Sequence, residues 1–200
     1  MDSLYKIIAI ILSYLLGAVP FGLLFAKVFS GVDVRTLGSR NIGATNVLRT
    51  SGKTAAILTL IADMLKGFLP PVLARLAFQD DYLCALSGAA AILGHNFPVY
   101  LGFKGGKGVA TGFGVILAVS PLIGAISLLA WIAAAYIWRY SSLSALISFA
   151  LYPLLTYAMH AGSKPHALLA LFIAGLIYVR HRENIKRMLA GTEPKIGEKR

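Results

Sequence analysis

The chain has 200 residues, 58% of them hydrophobic and 14% charged, against about a quarter charged in an ordinary soluble domain. That balance excludes a soluble enzyme and points to one integral membrane domain over residues 1–200, with no room for a second, soluble one. The net charge of +11 fits cytoplasmic loops, anionic lipids and anionic substrates; no stretch interleaves base-stacking aromatics with lysines, so nucleic acid is not an expected partner. The single cysteine, Cys84, excludes an internal disulfide and reads as a small apolar helix residue.

A helix needs about 20 apolar residues to cross a bilayer, and hydropathy predicts an all-α bundle of about seven such spans. The first, Leu4–Phe29, carries a kink at "GAVPFG" and is too long, with no small-residue cleavage site, for a signal peptide. The loop after it contains "LGSRNIGATNVLR". Its Ser39, Arg40, Asn41, Thr45, Asn46 and Arg49, loosened by Gly38 and Gly43, are dense in short hydrogen-bonding groups that topology alone does not require. Amides, hydroxyls and arginine suit phosphate oxygens or a polyol.

The second span, Thr54–Phe78, holds Asp63 and Lys66 three residues apart. An intramembrane ionisable pair must face protein or water, first as a structural ion pair and second as a substrate contact. The third, Tyr82–Leu101, includes Gly94-His95-Asn96; His95 reads equally as a base or as a structural histidine bonded to a carbonyl. Then comes "GFKGGKG", where Lys104 and Lys107 stand among glycines able to form an anion nest, followed by a helix whose opening amides favour an anion. It is no Walker loop, because Leu101 and Gly108 occupy positions that need Gly and Ser or Thr; "SGKT" at residues 51–54 fails at Val47.

The fourth span, Val109–Ser120, is short and is either fully crossing or re-entrant. The fifth is Pro121–Trp138. "RYSSLS" leads into the sixth, Leu143–His160, with Ser142 placed either to cap that helix or to touch substrate. The seventh, His166–Arg180, runs into "RHRENIKR". There His181 and Asn184 share one helix face by spacing, while Arg180 and Arg182 face elsewhere, toward lipid headgroups.

With alternating loops, one side collects 14 of the 19 Lys and Arg, in residues 30–53, 102–108, 139–142 and the tail from Arg180. The positive-inside rule then places the N-terminus outside and the C-terminus, with every polar motif, in the cytoplasm. Some chemistries lack their residues. There is no Cys/His set for zinc, no paired carboxylates in the loops and no GxSxG. The His-x4-Asp pattern of common glycerolipid acyltransferases is missing, since Tyr100 follows His95 and Lys186 follows His181 at that spacing. No metal or cofactor is expected.

Together "GSRNIGATNVLR", "GHNFPVYLGFKGGKGVAT" and "RHRENIKR" resemble the bacterial membrane glycerol-3-phosphate acyltransferases of the PlsY family over roughly residues 17–190. The resemblance implies acyl phosphate as donor, glycerol 3-phosphate as acceptor, and lysophosphatidic acid and phosphate as products, in the first step of phospholipid synthesis at the bacterial inner membrane. It implies that Ser39, Arg49 and Lys107 contact the phosphate of glycerol 3-phosphate. Thr45, Ser142 and amides near Gly43, Gly105 and Gly106 would hold the acyl phosphate or the developing oxyanion. His181 and Asn184 would orient the glycerol hydroxyls; Asn41, Asn46 and Lys104 complete the expected substrate contacts. Arg40 departs from the small or polar residue expected there. With no His–carboxylate pair in the cytoplasmic motifs, a substrate phosphate oxygen is expected to take the hydroxyl proton, with His181 positioning. A soluble acyl-phosphate synthase is a candidate partner for the basic tail. Two rival readings remain: a transporter for a phosphorylated metabolite, disfavoured by the lack of an inverted repeat, and a scaffold, which would not need the chemistry of Ser39–Asn46.

Overall fold

The computed structural model describes residues 2–198, and all regular secondary structure among them is helical; Lys199 and Arg200, counted above with the basic tail, lie outside. Helix α1 (Asp2–Ala18) breaks before α2 (Phe21–Ser30). Pro20 has no amide hydrogen to continue the ladder, and its carbonyl instead accepts from Leu23 and Leu24. The predicted kink is therefore a full interruption. A short helix, α3 (Ala44–Ser51), occupies what the sequence suggested was loop. Helix α4 (Lys53–Phe78) runs unbroken through Pro70 and Pro71. Helix α5 (Asp81–Asn96) starts on Asp80, whose carboxylate accepts from the amides of Tyr82 and Leu83. It ends five residues short of the expected Leu101, because Pro98 forces a single 3-10 turn, Val99–Leu101. There follow α6 (Val109–Val119), α7 (Pro121–Trp138), α8 (Ser141–Met159), α9 (Lys164–Arg180) and α10 (Arg182–Leu189).

Four stretches among the described residues are long and apolar enough to cross a membrane: Asp2–Ser30, Lys53–Phe78, Pro121–Trp138 and Ser141–Met159. The other three expected spans, α5, α6 and α9, have 16, 11 and 17 residues. At 1.5 Å per residue α6 is only about 16 Å long, against about 39 Å for α4 beside it.

Small residues let these helices touch backbone to backbone. A Cβ at Gly17 of α1 would strike Ala91 of α5, and one at Gly94 of α5 would strike Tyr14 of α1. Gly67 of α4 and Thr111 of α6 meet likewise, as do Gly114 and Met64. Around α6 the core is aromatic and aliphatic: the Phe113 and Phe149 rings meet tilted at 46°, with centroids 4.9 Å apart, among Ile92, Ile116, Ile173 and Ile177. The outward faces of α1, α7 and α9 expose Ile7, Ile11, Leu129, Ile132, Leu168 and Leu171, a surface that demands hydrocarbon, not water.

Contacts between connections sort the bundle into two ends. At one, Lys6 bonds Asp80 at 2.9 Å and Ser120 meets His160 at 2.9 Å. At the other lie Thr45 with Ser141 (3.3 Å), Lys107 with Asn184 (2.6 Å) and Arg139 with Ile196. Every polar motif singled out in the sequence is at this second end.

Candidate active site

The first motif is organised by Asn46. Its Oδ1 accepts from the Ser39 amide at 2.9 Å, and its Nδ2 donates to the carbonyls of Val34, Leu37 and Asn41. Asn46 is buried, and in this structure its amide is engaged in building the loop. Asn41 is similarly occupied, its Oδ1 accepting from the Gly43 amide at 2.8 Å. Gly43 then caps α3 in extended conformation. This leaves Ser39 and Thr45 exposed and Arg49 on the last turn of α3.

The glycine loop is locked from both sides. The amides of Gly105 and Gly106 donate to Asn96 and His95 carbonyls at 3.2 and 3.1 Å, continuing off the end of α5. Their own carbonyls accept from Arg180: Nη2 lies 3.0 Å from Gly105 O and 2.9 Å from Gly106 O. The guanidinium also stacks over Phe97, 5.2 Å from its centroid. So these amides do not form the expected anion nest, and Arg180 does not face lipid headgroups; it clamps the loop. Lys104 is exposed and makes no side-chain hydrogen bond among the described residues, so the structure does not bring it to the cluster.

Lys107 is brought there. Its ammonium donates to Asn184 Oδ1 at 2.6 Å. Asn184 Nδ2 donates to Glu193 Oε1 at 2.6 Å, and Ser142 Oγ donates to the same oxygen at 2.8 Å. Glu193 Oε2 accepts from Arg187 Nε at 2.7 Å. The chain of donors admits only one orientation of the Asn184 amide. Ser142 therefore does not cap α8, whose start has no side-chain cap; its hydroxyl joins this cluster instead. His181 sits at the junction of α9 and α10, where it is the residue before α10 and its carbonyl accepts from the Ile185 amide at 2.9 Å; both it and Asn184 are buried. Its Nδ1 donates to the Ile177 carbonyl at 2.8 Å, leaving Nε2 as an acceptor.

The charges follow from this packing. Burial pulls the Lys107 pKa down to about 8; Glu193 acts the other way, and Arg187, Arg180 and Arg49 add repulsion. Burial, then the Lys107 charge, lowers His181 to about 4, so it is neutral. Burial opposes the Glu193 carboxylate, but hydrogen bonds from Asn184, Ser142 and Arg187 outweigh it and hold its pKa below the usual range. The result is a pocket rim rich in cations with one internal counter-ion, ready for anions of greater charge.

Comparison with known proteins agrees with this chemistry. A family model described as glycerol-3-phosphate acyltransferase matches residues 7–191. The chain belongs to the glycerol-3-phosphate acyltransferase family. It is 52% identical over 188 residues to the glycerol-3-phosphate acyltransferase of Dinoroseobacter shibae, covering 94% of this chain and 91% of that one. It is 49% identical over 197 residues to that of Desulfotalea psychrophila, covering 96% and 97%. Two crystal structures of PlsY (YgiH), an integral membrane glycerol 3-phosphate acyltransferase, superpose over 96% of both chains. The glycerol 3-phosphate form does so with a TM-score of 0.91 at 42% identity, and the lysophosphatidic acid form with 0.89 at 41%.

The acyltransferase is thus an all-helical, multi-pass integral membrane enzyme. Two residues of the candidate site escaped the sequence reading. Glu193 was passed over inside a basic tail that also holds Glu183 and Glu198, and nothing in the sequence separates it from them. Arg180 was read by helical spacing, which places its Cα but not the reach of its long side chain.

Proposed function

We propose that the enzyme moves a fatty acyl group from acyl phosphate to the 1-hydroxyl of glycerol 3-phosphate, releasing lysophosphatidic acid and inorganic phosphate. The observation that carries this reading is the convergence of Lys107, Asn184, Ser142 and Glu193 with α3 at one end of an apolar bundle. Two anions must meet there, and Arg49 and Lys107 offset their repulsion while Ser39 adds a hydroxyl to the glycerol 3-phosphate phosphate. Thr45 and Ser142 face the acyl phosphate, and His181 Nε2 and Asn184 receive the glycerol hydroxyls. Holding hydroxyl and carbonyl in register supplies much of the rate.

In the step itself the hydroxyl oxygen bonds to the acyl carbon and the bond from that carbon to the phosphate oxygen breaks. The proton passes to a phosphate oxygen, because His181, near pKa 4, is a weak base at neutral pH. With Gly105 and Gly106 engaged elsewhere, the amides that open α6 after Gly108 and α3 after Gly43 are the oxyanion donors, since opening amides have no carbonyl within their own helix.

The bundle end carrying the site faces the cytoplasm, with the N-terminus outside the bacterial inner membrane. Loop charge supports this; the exposed aromatics Tyr136 and Trp138 at one end and Tyr82 and Tyr157 at the other fit the two interfaces of a spanning bundle without distinguishing them. Seven passes follow if α5, α6 and α9 cross inside the bundle. Because α6 is short and buried, the loop carrying Lys107 then lies below the membrane surface, where a lipid-borne acyl phosphate meets a water-soluble acceptor. The basic tail offers a docking surface for a soluble acyl-phosphate synthase.

Purified enzyme given palmitoyl phosphate and glycerol 3-phosphate should release inorganic phosphate and lysophosphatidic acid one to one. Palmitoyl-CoA should not replace the donor, and Lys107→Ala should abolish both products. Product from palmitoyl-CoA alone would overturn the donor assignment.

A further inference from the structure

Acyl transfer as proposed leaves three buried ionisable side chains without a role. Asp63 and Lys66 on α4 are each 2% exposed and His95 at the end of α5 is 3% exposed. Such groups within a membrane bundle are costly unless they serve a purpose. As a source of stability a buried ion pair is weak, because desolvation offsets its attraction. Its geometry is more telling.

The three form a series that runs from the first helix break to the glycine loop. Lys66 Nζ donates to the Val19 carbonyl, at the break before Pro20, at 2.8 Å. It lies 2.8 Å from Asp63 Oδ1. Asp63 Oδ1 lies 3.7 Å from His95 Nδ1, which has no hydrogen-bond partner among the described residues. At this distance there is no hydrogen bond, but the carboxylate's field favours the tautomer with its proton on Nδ1 and draws that edge of the ring toward α4. The other edge of the ring bears on Gly106: a Cβ at that residue would overlap Nε2 and come within 2.7 Å of Cε1. The His95 carbonyl also accepts from the Gly106 amide at 3.1 Å. Residue 95 therefore grips residue 106 by ring and by backbone, while Arg180 holds its carbonyl from the far side. Lys107 is the next residue.

We propose that Lys66, Asp63 and His95 are positioning residues that set the His95 ring against Gly106, and so fix where Lys107 meets the phosphate of glycerol 3-phosphate. Lys66 and Asp63 hold the ring; the ring holds the loop; none of the three touches substrate. The inference rests on the phosphate-binding role proposed for Lys107. It is tested by glycerol 3-phosphate binding measured calorimetrically in detergent, without a donor, so that a wrong donor assignment would leave it intact.

The experiment is a double-mutant cycle. Gly106→Ala should weaken glycerol 3-phosphate binding about 30-fold and His95→Ala about 10-fold, but with the ring gone the new methyl has room, so the double variant should match His95→Ala within about 3-fold. Effects that multiply, to about 300-fold, would show independent sites and overturn the proposal. A second variant, Asp63→Leu with Lys66→Met, removes both charges so that neither is left buried alone. It should melt at or above the parent temperature yet bind glycerol 3-phosphate about 10-fold more weakly. Parent-like binding there would likewise overturn the proposal.

Discussion

Lys107 and Asn184, 77 residues apart in sequence, are joined by a 2.6 Å hydrogen bond from ammonium to amide oxygen. Asn184 is in turn held by Glu193, which also holds Ser142. Removing the amide therefore detaches the lysine from the side-chain oxygen that accepts from it and leaves Glu193 short of a donor. Asn184→Ala should lower kcat/KM for glycerol 3-phosphate about 100-fold, the scale for one preorganised charged contact, while the helical circular dichroism stays at the parent value. Initial rates across both substrates check this; a loss below about 5-fold would remove Asn184 from the machinery.

The Lys107 pKa of about 8 predicts the alkaline limb of activity. Below pH 8 the ammonium is present and KM for glycerol 3-phosphate should be flat on this account. Above it, free enzyme loses the charge and KM should rise about tenfold per pH unit. Lys107→Arg keeps its charge throughout and should abolish that rise, whatever it does to kcat. Glu193→Gln removes the charge that favours the protonated lysine, so its rise should begin at lower pH. For folding the sign is opposite to the one for activity. The lysine binds its proton more weakly in the folded state, so its contribution to stability increases between about pH 8 and 10.5. A melting profile over that window separates the two effects.

Hydropathy and loop charge sufficed to locate the bundle and the three polar motifs because those signals are local. Details that depend on where long side chains reach were not legible. Asn46 looked like a substrate ligand because a polar residue in a polar loop carries no mark of its partners; its four bonds run to backbone up to 12 residues away. Gly105 and Gly106 looked like an anion nest, but the early end of α5 at Pro98 leaves carbonyls that their amides satisfy instead. Helix α3 was masked by Asn46, Thr45 and Thr50, weak helix formers, whose helix is closed by tertiary packing of Val47 into the α2–α4 cluster. Asp63 and Lys66, by contrast, were legible as a pair from spacing alone, and the structure finds them 2.8 Å apart.

His181 discriminates between two sources of base catalysis. Its Nδ1 is occupied by Ile177 and its pKa lies near 4, so only its hydrogen-bonding capacity is available at neutral pH. A glutamine side chain retains a donor and an acceptor. His181→Gln should then keep turnover within about 10-fold of the parent, well above Lys107→Ala. Its pH profile should be unaltered between pH 5 and 7. A loss as deep as that of Lys107→Ala, with glycerol 3-phosphate binding intact, would make His181 the base. Replacement should also flatten the stability profile on the acid side. A buried neutral histidine that charges on unfolding lowers stability as pH falls from 6.5 toward 4.

Arg40 departs from the pattern of its motif, and the structure places it at φ 57°. That left-handed conformation crowds the Cβ against the following carbonyl and costs about 1 kcal/mol for a residue other than Gly or Asn. The turn is set by its amide, which donates to Leu37 at 3.0 Å, and its side chain is exposed. Arg40→Asn should thus relieve strain without disturbing Ser39 or Asn46. The melting temperature should rise by roughly 2–4 °C, the shift that about 1 kcal/mol gives for a chain of this size. Removing the charge should leave kcat unchanged if Arg40 lies outside the site. A rise in KM for glycerol 3-phosphate in the same variant would instead place the Arg40 guanidinium among the groups that attract the phosphate, and a lower melting temperature would show that the loop draws more from the arginine than its backbone loses.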